Sequence, residues 1–304
     1  GIIGPGDGTL ADTSAFYTLY QTSDDAELKA NSSAAESEQG KMSLYSQGII
    51  GAIGFGNRDF IYMAIRRGPM KVPEAATDVF AVATRVTGNP NWTSNFVVDA
   101  AWQNPNTGLA RYEDVFSRLT GKYYMPAGDT DAESAGGTDF AFDFMTGWRQ
   151  DGSTSTTAIS WMWQRAPGFM DVVCGFSAAS GNVWNGNHLL GVAIEFAIVK
   201  NRERNSSQWW TAQVTEADFL KLNQDAAATG LGTDFTSTTT TFQAFPGYLE
   251  NDEQFIGYFF ATLEGISKVG SYTADGTLTT IDCGFSAGAR FVLIKRTDAS
   301  GDWY

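Results

Sequence analysis

The chain reads as an all-β protein built from tandem antiparallel β-sandwich repeats of about 97 residues. Three observations predict this. First, register marks recur: Arg165 and Pro167 answer Arg67 and Pro69, and Gly168-Phe169-Met170 answers Gly265-Ile266-Ser267. Phe196-Ala197-Ile198-Val199-Lys200, followed by Trp209-Trp210, returns as Phe291-Val292-Leu293-Ile294-Lys295, followed by Trp303-Tyr304. Second, glycine and aromatic residues are abundant and charged residues sparse, a mix that suits short strands and tight turns better than helix bundles. Third, apolar runs are brief and bounded by Asn, Gly, Ser and Thr.

The frame divides the chain into a partial first repeat at 1–68, repeats at 69–166 and 167–264, and the truncated start of a fourth at 265–304. In the 167–264 repeat, Phe169 to Phe176 is expected as a strand, and Asn182 to Gly191 as a loop or hairpin turning at Asn185-Gly186-Asn187. Phe196 to Lys200 is short and wholly apolar until its lysine, which fits a strand buried on both faces. Gln208 to Val214 follows as another strand. Thr215 to Asp218 carries a helix-start signal, whereas Phe219 to Asn223 fits helix and strand equally. The Thr/Ser tract Thr236 to Thr241 has high β propensity, and Gln254 to Ala261 closes the repeat. Elsewhere only Asp24 to Ser37, a polar Ala/Glu/Ser segment, fits either a helix or a loop.

The net charge of −14 disfavours nucleic acid and anionic lipid as partners. No apolar stretch reaches the roughly 18 residues that cross a bilayer, so membrane insertion is not expected. The two cysteines, Cys174 and Cys283, open identical pentapeptides about 109 positions apart, outside the repeat frame. They are expected as buried free thiols at two different strand edges, with no disulfide framework. Gly48-Ile49-Ile50-Gly51 runs on into further glycines but lacks the Lys-Ser/Thr of a phosphate loop.

Chemistry-bearing residues are few. The single histidine, His188, sits in a turn-like string and is expected to satisfy backbone groups rather than to serve zinc or a triad. The acidic runs Asp24-Asp25-Ala26-Glu27 and Asp129-Thr130-Asp131-Ala132-Glu133 hold the oxygens that calcium needs but not an EF-hand pattern, so they are read as solvated turns. Asp129, Asp131, Glu203 and Asp252 are the carboxylates that a glycan-cleaving pair would draw on. No catalytic, cofactor or metal residue is assigned, no cofactor is expected, and the chain is read as a non-enzyme. Tryptophans beside polar residues suit stacking on sugars and protein interfaces. On that ground Trp184 and Trp92, with the neighbouring Asn185 and Asn187, are the candidate surface contacts, and Trp161 and Trp163 are read as core and neighbouring sheet face.

The strings Phe60 to Lys71, Arg165 to Val173, Gly265 to Thr273, Phe291 to Asp298 and Gly301 to Tyr304 resemble a repeat module of virion structural proteins in tailed, particularly marine, bacteriophages. The module usually has a short turn with a His-Asn-Leu-Gly-like string. Here His188-Leu189-Leu190-Gly191 stands in a longer insertion that includes Trp184. The resemblance implies a structural component of a phage virion appendage, tail-fibre-like, located in the virion and contributing to host attachment. It implies other virion proteins, further copies of the chain (a trimer being the usual fibre symmetry) and a host surface glycan as partners. The other readings are a capsid-surface decoration or head fibre protein, a polysaccharide-degrading tailspike, and a cellular β-sandwich adhesin.

Overall fold

The computed structural model describes residues 70–104, 114–135, 140–150, 157–214, 218–230 and 235–304, and the backbone of five short strands before residue 52. Those five are β1 (Ile2–Ile3), β2 (Ala26–Leu28), β3 (Ser37–Glu38), β4 (Met42–Tyr45) and β5 (Gly48–Gly51). The segment Asp24 to Ser37, which fits helix or loop by sequence, carries strand at Ala26–Leu28 and at Ser37. Arg67, Pro69, Asp24, Asp25, Glu216 and the helix-start signal at Thr215 lie outside the described residues.

The chain is all-β, with one short 3-10 turn at Ala76–Asp78 among the described residues. Two compact units share the material; the second comprises Lys71–Val79, Ala127–Ala132 and Arg165–Tyr304.

The first unit holds β1 to β5 and, from Phe80 on, β6 (Phe80–Thr84), β7 (Trp92–Thr93), β8 (Ala100–Asn104), β9 (Asp114–Ser117), β10 (Tyr123–Pro126), β11 (Ser134–Ala135), β12 (Phe140–Ala141), β13 (Gly147–Gln150) and β14 (Ile159–Trp163). One antiparallel sheet has the order β11-β10-β9-β8-β14-β6, and a smaller one has the order β12-β13-β7. Their inner faces close on Trp92, Phe116, Phe140, Phe142, Trp148 and Met162. Trp92 and Trp148 stack with ring centroids 4.6 Å apart. Arg118 and Asp99 are buried together, and the guanidinium also donates to the Val98 carbonyl at 3.0 and 2.8 Å.

The second unit contains β15 (Met170–Phe176), β16 (Trp184–Asn187), β17 (Phe196–Asn201), β18 (Trp209–Gln213), β19 (Phe219–Lys221), β20 (Phe235–Ser237), β21 (Thr241–Ala244) and β22 (Gln254–Phe260). Its sheets run β15-β22-β17-β18-β19 and β16-β21-β20. Strand for strand this is the order of the first unit without β11. Backbone bonds match too: Asp99 N donates to Trp163 O as Glu195 N does to Phe260 O, and Arg118 N to Asp99 O as Val214 N does to Glu195 O. The core packs Trp184, Val199, Phe235, Phe242, Phe245, Phe255 and Phe259 between the sheets.

The spacing between matching positions is not constant. Trp163 and Phe260 hold the same place about 97 residues apart, but their first-strand partners Phe80 and Met170 are only about 90 apart. Strand registers match through sheet pairing, whereas connections differ in length, so a fixed period drifts.

Three local expectations need correction. Asn185-Gly186-Asn187 is strand, not turn; it pairs with β21 along Trp184↔Ala244 to Asn187↔Thr241. The Thr/Ser tract is no continuous strand but a hairpin, in which Thr238 Oγ1 accepts from the amides of Thr240 and Thr241. Cys174 is a buried strand thiol as expected, while the Cys283 pentapeptide forms no strand and its free thiol is only half-buried.

Candidate functional site

Trp184 and Trp92, expected at the surface, are both buried to 1% or less. Their polar neighbours reflect period-2 alternation: in β16 Trp184 faces the core while Asn185 and Asn187 face out and are exposed. Gly186 makes room for a ring, since a Cβ there would lie 2.6 Å from Phe242 Cζ. Trp184 in turn meets Phe242 edge-on at 4.9 Å.

Asn185 and Asn187 belong to the outer face of the small sheet β16-β21-β20. Across the strands Asn185 stands opposite Gln243, Gln243 opposite Thr236, and Asn187 opposite Thr241. Gln243 Nε2 donates to Asn185 Oδ1 at 3.1 Å, and the Thr238 and Thr241 hydroxyls lie 2.7 Å apart. The face is thus a ladder of amides and hydroxyls without a charge, in a chain of net charge −14. The matching sheet of the first unit has half-exposed Arg149 where this one has Gln243-type amides. Sequence reasoning found Asn185 and Asn187 but missed Gln243, Thr236 and Thr241; the alternation in Thr241-Phe242-Gln243-Ala244 was the available signal.

His188 supports this face from below. It is buried; its Nδ1 accepts from the Leu190 amide at 3.3 Å, which leaves Nε2 to donate to the Thr238 carbonyl at 3.1 Å. Burial pushes its pKa below the ordinary value of 6.5, against the opposing pull of the Thr238 and Thr241 carbonyls. The unfolded chain therefore takes up a proton first. The stability that the neutral ring contributes is full above about pH 6.5 and is lost as pH falls through the depressed folded value. Acid titration of the denaturation midpoint is expected to show a decline that a His188→Gln variant lacks.

The acidic loop and the carboxylates lie elsewhere. Asp129 Oδ1 caps the Thr130 amide at 2.6 Å, and the Thr130 carbonyl accepts from the buried ammonium of Lys200 at 3.2 Å. Burial pushes Lys200 down to about 8, with Glu250, Asp131 and Asp129 pulling the other way. Glu203 is held by the amide and side chain of Gln254 at 2.9 and 3.1 Å. Glu253 binds Asn201 and Arg204. Asp252 is set in a left-handed turn at φ 58°. The carboxylates Glu203 and Glu253 are thus committed to structural partners. Among the described residues no three or more His, Cys, Asp or Glu side chains gather as a metal site, and no helix is long and apolar enough to cross a membrane.

Two antiparallel sandwiches with one strand order, the second carrying an uncharged polar sheet face, place this chain among modular β-sandwich proteins. Residues 136–304, more than half of the chain, match the family described as a domain of unknown function, DUF7483, and the chain belongs to that family. No curated protein and no solved structure matches it.

Proposed function

We propose that the chain is a structural component of a phage virion appendage, tail-fibre-like, which contributes to attachment at the host surface through a neutral glycan. The structural part of this reading is supported by the recurrence of one sandwich order, the property of an array that builds extent rather than chemistry. The attachment part is carried by the outer face of β16-β21-β20. Amides and hydroxyls offer both donors and acceptors, so they match sugar hydroxyls, which have the same dual character. An acidic chain repels anionic polymers, and a face free of charge suits an uncharged one. Single-face contacts of this kind are weak and gain strength when several copies act together, which accords with an oligomeric appendage beside other virion proteins.

The test is binding to a panel of neutral and anionic bacterial surface polysaccharides. The intact chain is expected to retain neutral polymers, and Asn185→Ala with Gln243→Ala to weaken retention about tenfold, with stability changed by no more than about 0.5 kcal/mol. Equal binding by the double variant would remove the face from the proposal. Release of new reducing ends would replace it with a tailspike-type hydrolase.

A further inference from the structure

Two lysines repeat the same arrangement. Lys200 is the fifth residue of β17, and its Nζ donates to the carbonyls of Ser207 at 3.1 Å and Thr130 at 3.2 Å. Lys295 is the fifth residue of Phe291–Lys295, and its Nζ donates to the carbonyls of Gly301 at 2.6 Å and Asp225 at 2.9 Å. Each lysine has a tryptophan as antiparallel backbone partner: Lys200↔Trp209 and Lys295↔Trp303. In each case one carbonyl lies in the lysine's own hairpin, six or seven residues on. The other lies four residues past an earlier strand end, Pro126 of β10 or Lys221 of β19, which occupy the same place in the two sheet orders. From Lys200 to Lys295 and from Thr130 to Asp225 the step is the same, about 95 residues.

We propose that Lys200 and Lys295 are two copies of one joining device, an ammonium clamp by which the hairpin of each repeat seizes the loop that follows the fifth strand of the repeat before it in sequence. The partner surface is that loop, Ala127–Ala132 for Lys200 and the Asp225–Thr229 stretch for Lys295, all of it within the second compact unit. Both acceptors are main-chain carbonyls, so the clamp does not depend on the loop's side chains. An ammonium with several N–H donors is suited to bridge two such oxygens.

Further bonds accompany each clamp. The Ala132 amide donates to Asn205 Oδ1 at 2.9 Å in the first. In the second, the Ala228 amide donates to the Thr297 carbonyl, the Gly301 amide to the Asp225 carbonyl, and Trp303 Nε1 to the Lys221 carbonyl at 3.0 Å. The position of β8 that corresponds to Lys200 in sheet register is Asn104, so the described first unit has an amide in place of the cation. This inference does not depend on the attachment reading.

The test is amide hydrogen exchange on the full chain with Lys200→Met and Lys295→Met, which keep most of the apolar stem. Lys295→Met is expected to speed exchange at Ala228, Ile294, Gly301 and Tyr304 about tenfold or more, while the β15–β22–β17 ladder keeps its protection. Lys200→Met is expected to do the same at Thr130 to Ala132. Lys295→Arg, which restores donors, should return protection. Unchanged exchange in the loops, or equal loss across the whole β15–β22–β17 ladder, would overturn the clamp.

Discussion

Trp184→Ala is expected to destabilise the second sandwich by about 3–5 kcal/mol, the range for removing a large aromatic from a closed core. Trp184 is 1% exposed and packs on Phe242, Phe255 and Phe259, all buried, so the surrounding rings have no simple way to fill the space. Trp184→Phe should recover part of the loss. Denaturant midpoints followed by tryptophan fluorescence and by far-ultraviolet circular dichroism would measure it. A loss below about 1 kcal/mol would mean that this indole is a surface group after all.

The second large effect is expected at Gly147. Its φ of 148° is rarely adopted by L side chains, and a Cβ there would lie 2.1 Å from the Trp92 carbonyl oxygen, a backbone atom. No rotamer change relieves such a clash. Gly147 pairs with Thr93 at the start of β13, beside the Trp92–Trp148 stack at the centre of the first core. Gly147→Ala is therefore expected to cost about 3 kcal/mol or more, from strain and displaced packing together. The reading is the thermal transition of the first sandwich. An alanine variant that melts with the parent would show that the backbone relaxes there freely.

The parts of this fold legible in sequence are those fixed by burial on both faces. Phe196 to Lys200 and Gln254 to Ala261 are apolar runs whose length alone suits central strands, and they form β17 and β22, neighbours in the middle of the sheet. The lysine and tryptophan marks of the repeat were legible for a different reason: Lys200↔Trp209 and Lys295↔Trp303 are backbone partners across one hairpin, so pairing holds them together although the hairpins differ by one residue in length.

What sequence left hidden was direction. Trp184 stands among asparagines and a glycine, and local composition reads that string as a turn. Only pairing with Thr241 to Ala244 reveals it as an alternating strand whose polar residues point away from the core. The candidate face was half legible for that reason. Asn185 and Asn187 were found for a mistaken cause, and Gln243 became visible only across the strand. Lys200 looked like the polar end of an apolar run, and its role depends on the Thr130 carbonyl about 70 residues away.

The first and last strands of each sandwich are antiparallel neighbours. Met170 lies opposite Phe260, and Phe80 opposite Trp163, so the polypeptide enters and leaves at the same end of one ladder. Tension applied along the chain would fall on that terminal pair alone and peel the two strands apart rung by rung, instead of shearing all seven rungs of β15 and β22 at once. A filament made from such modules would be mechanically soft at every entry point. The strength of the whole would then be set by whatever bolts each module to the chain beyond it.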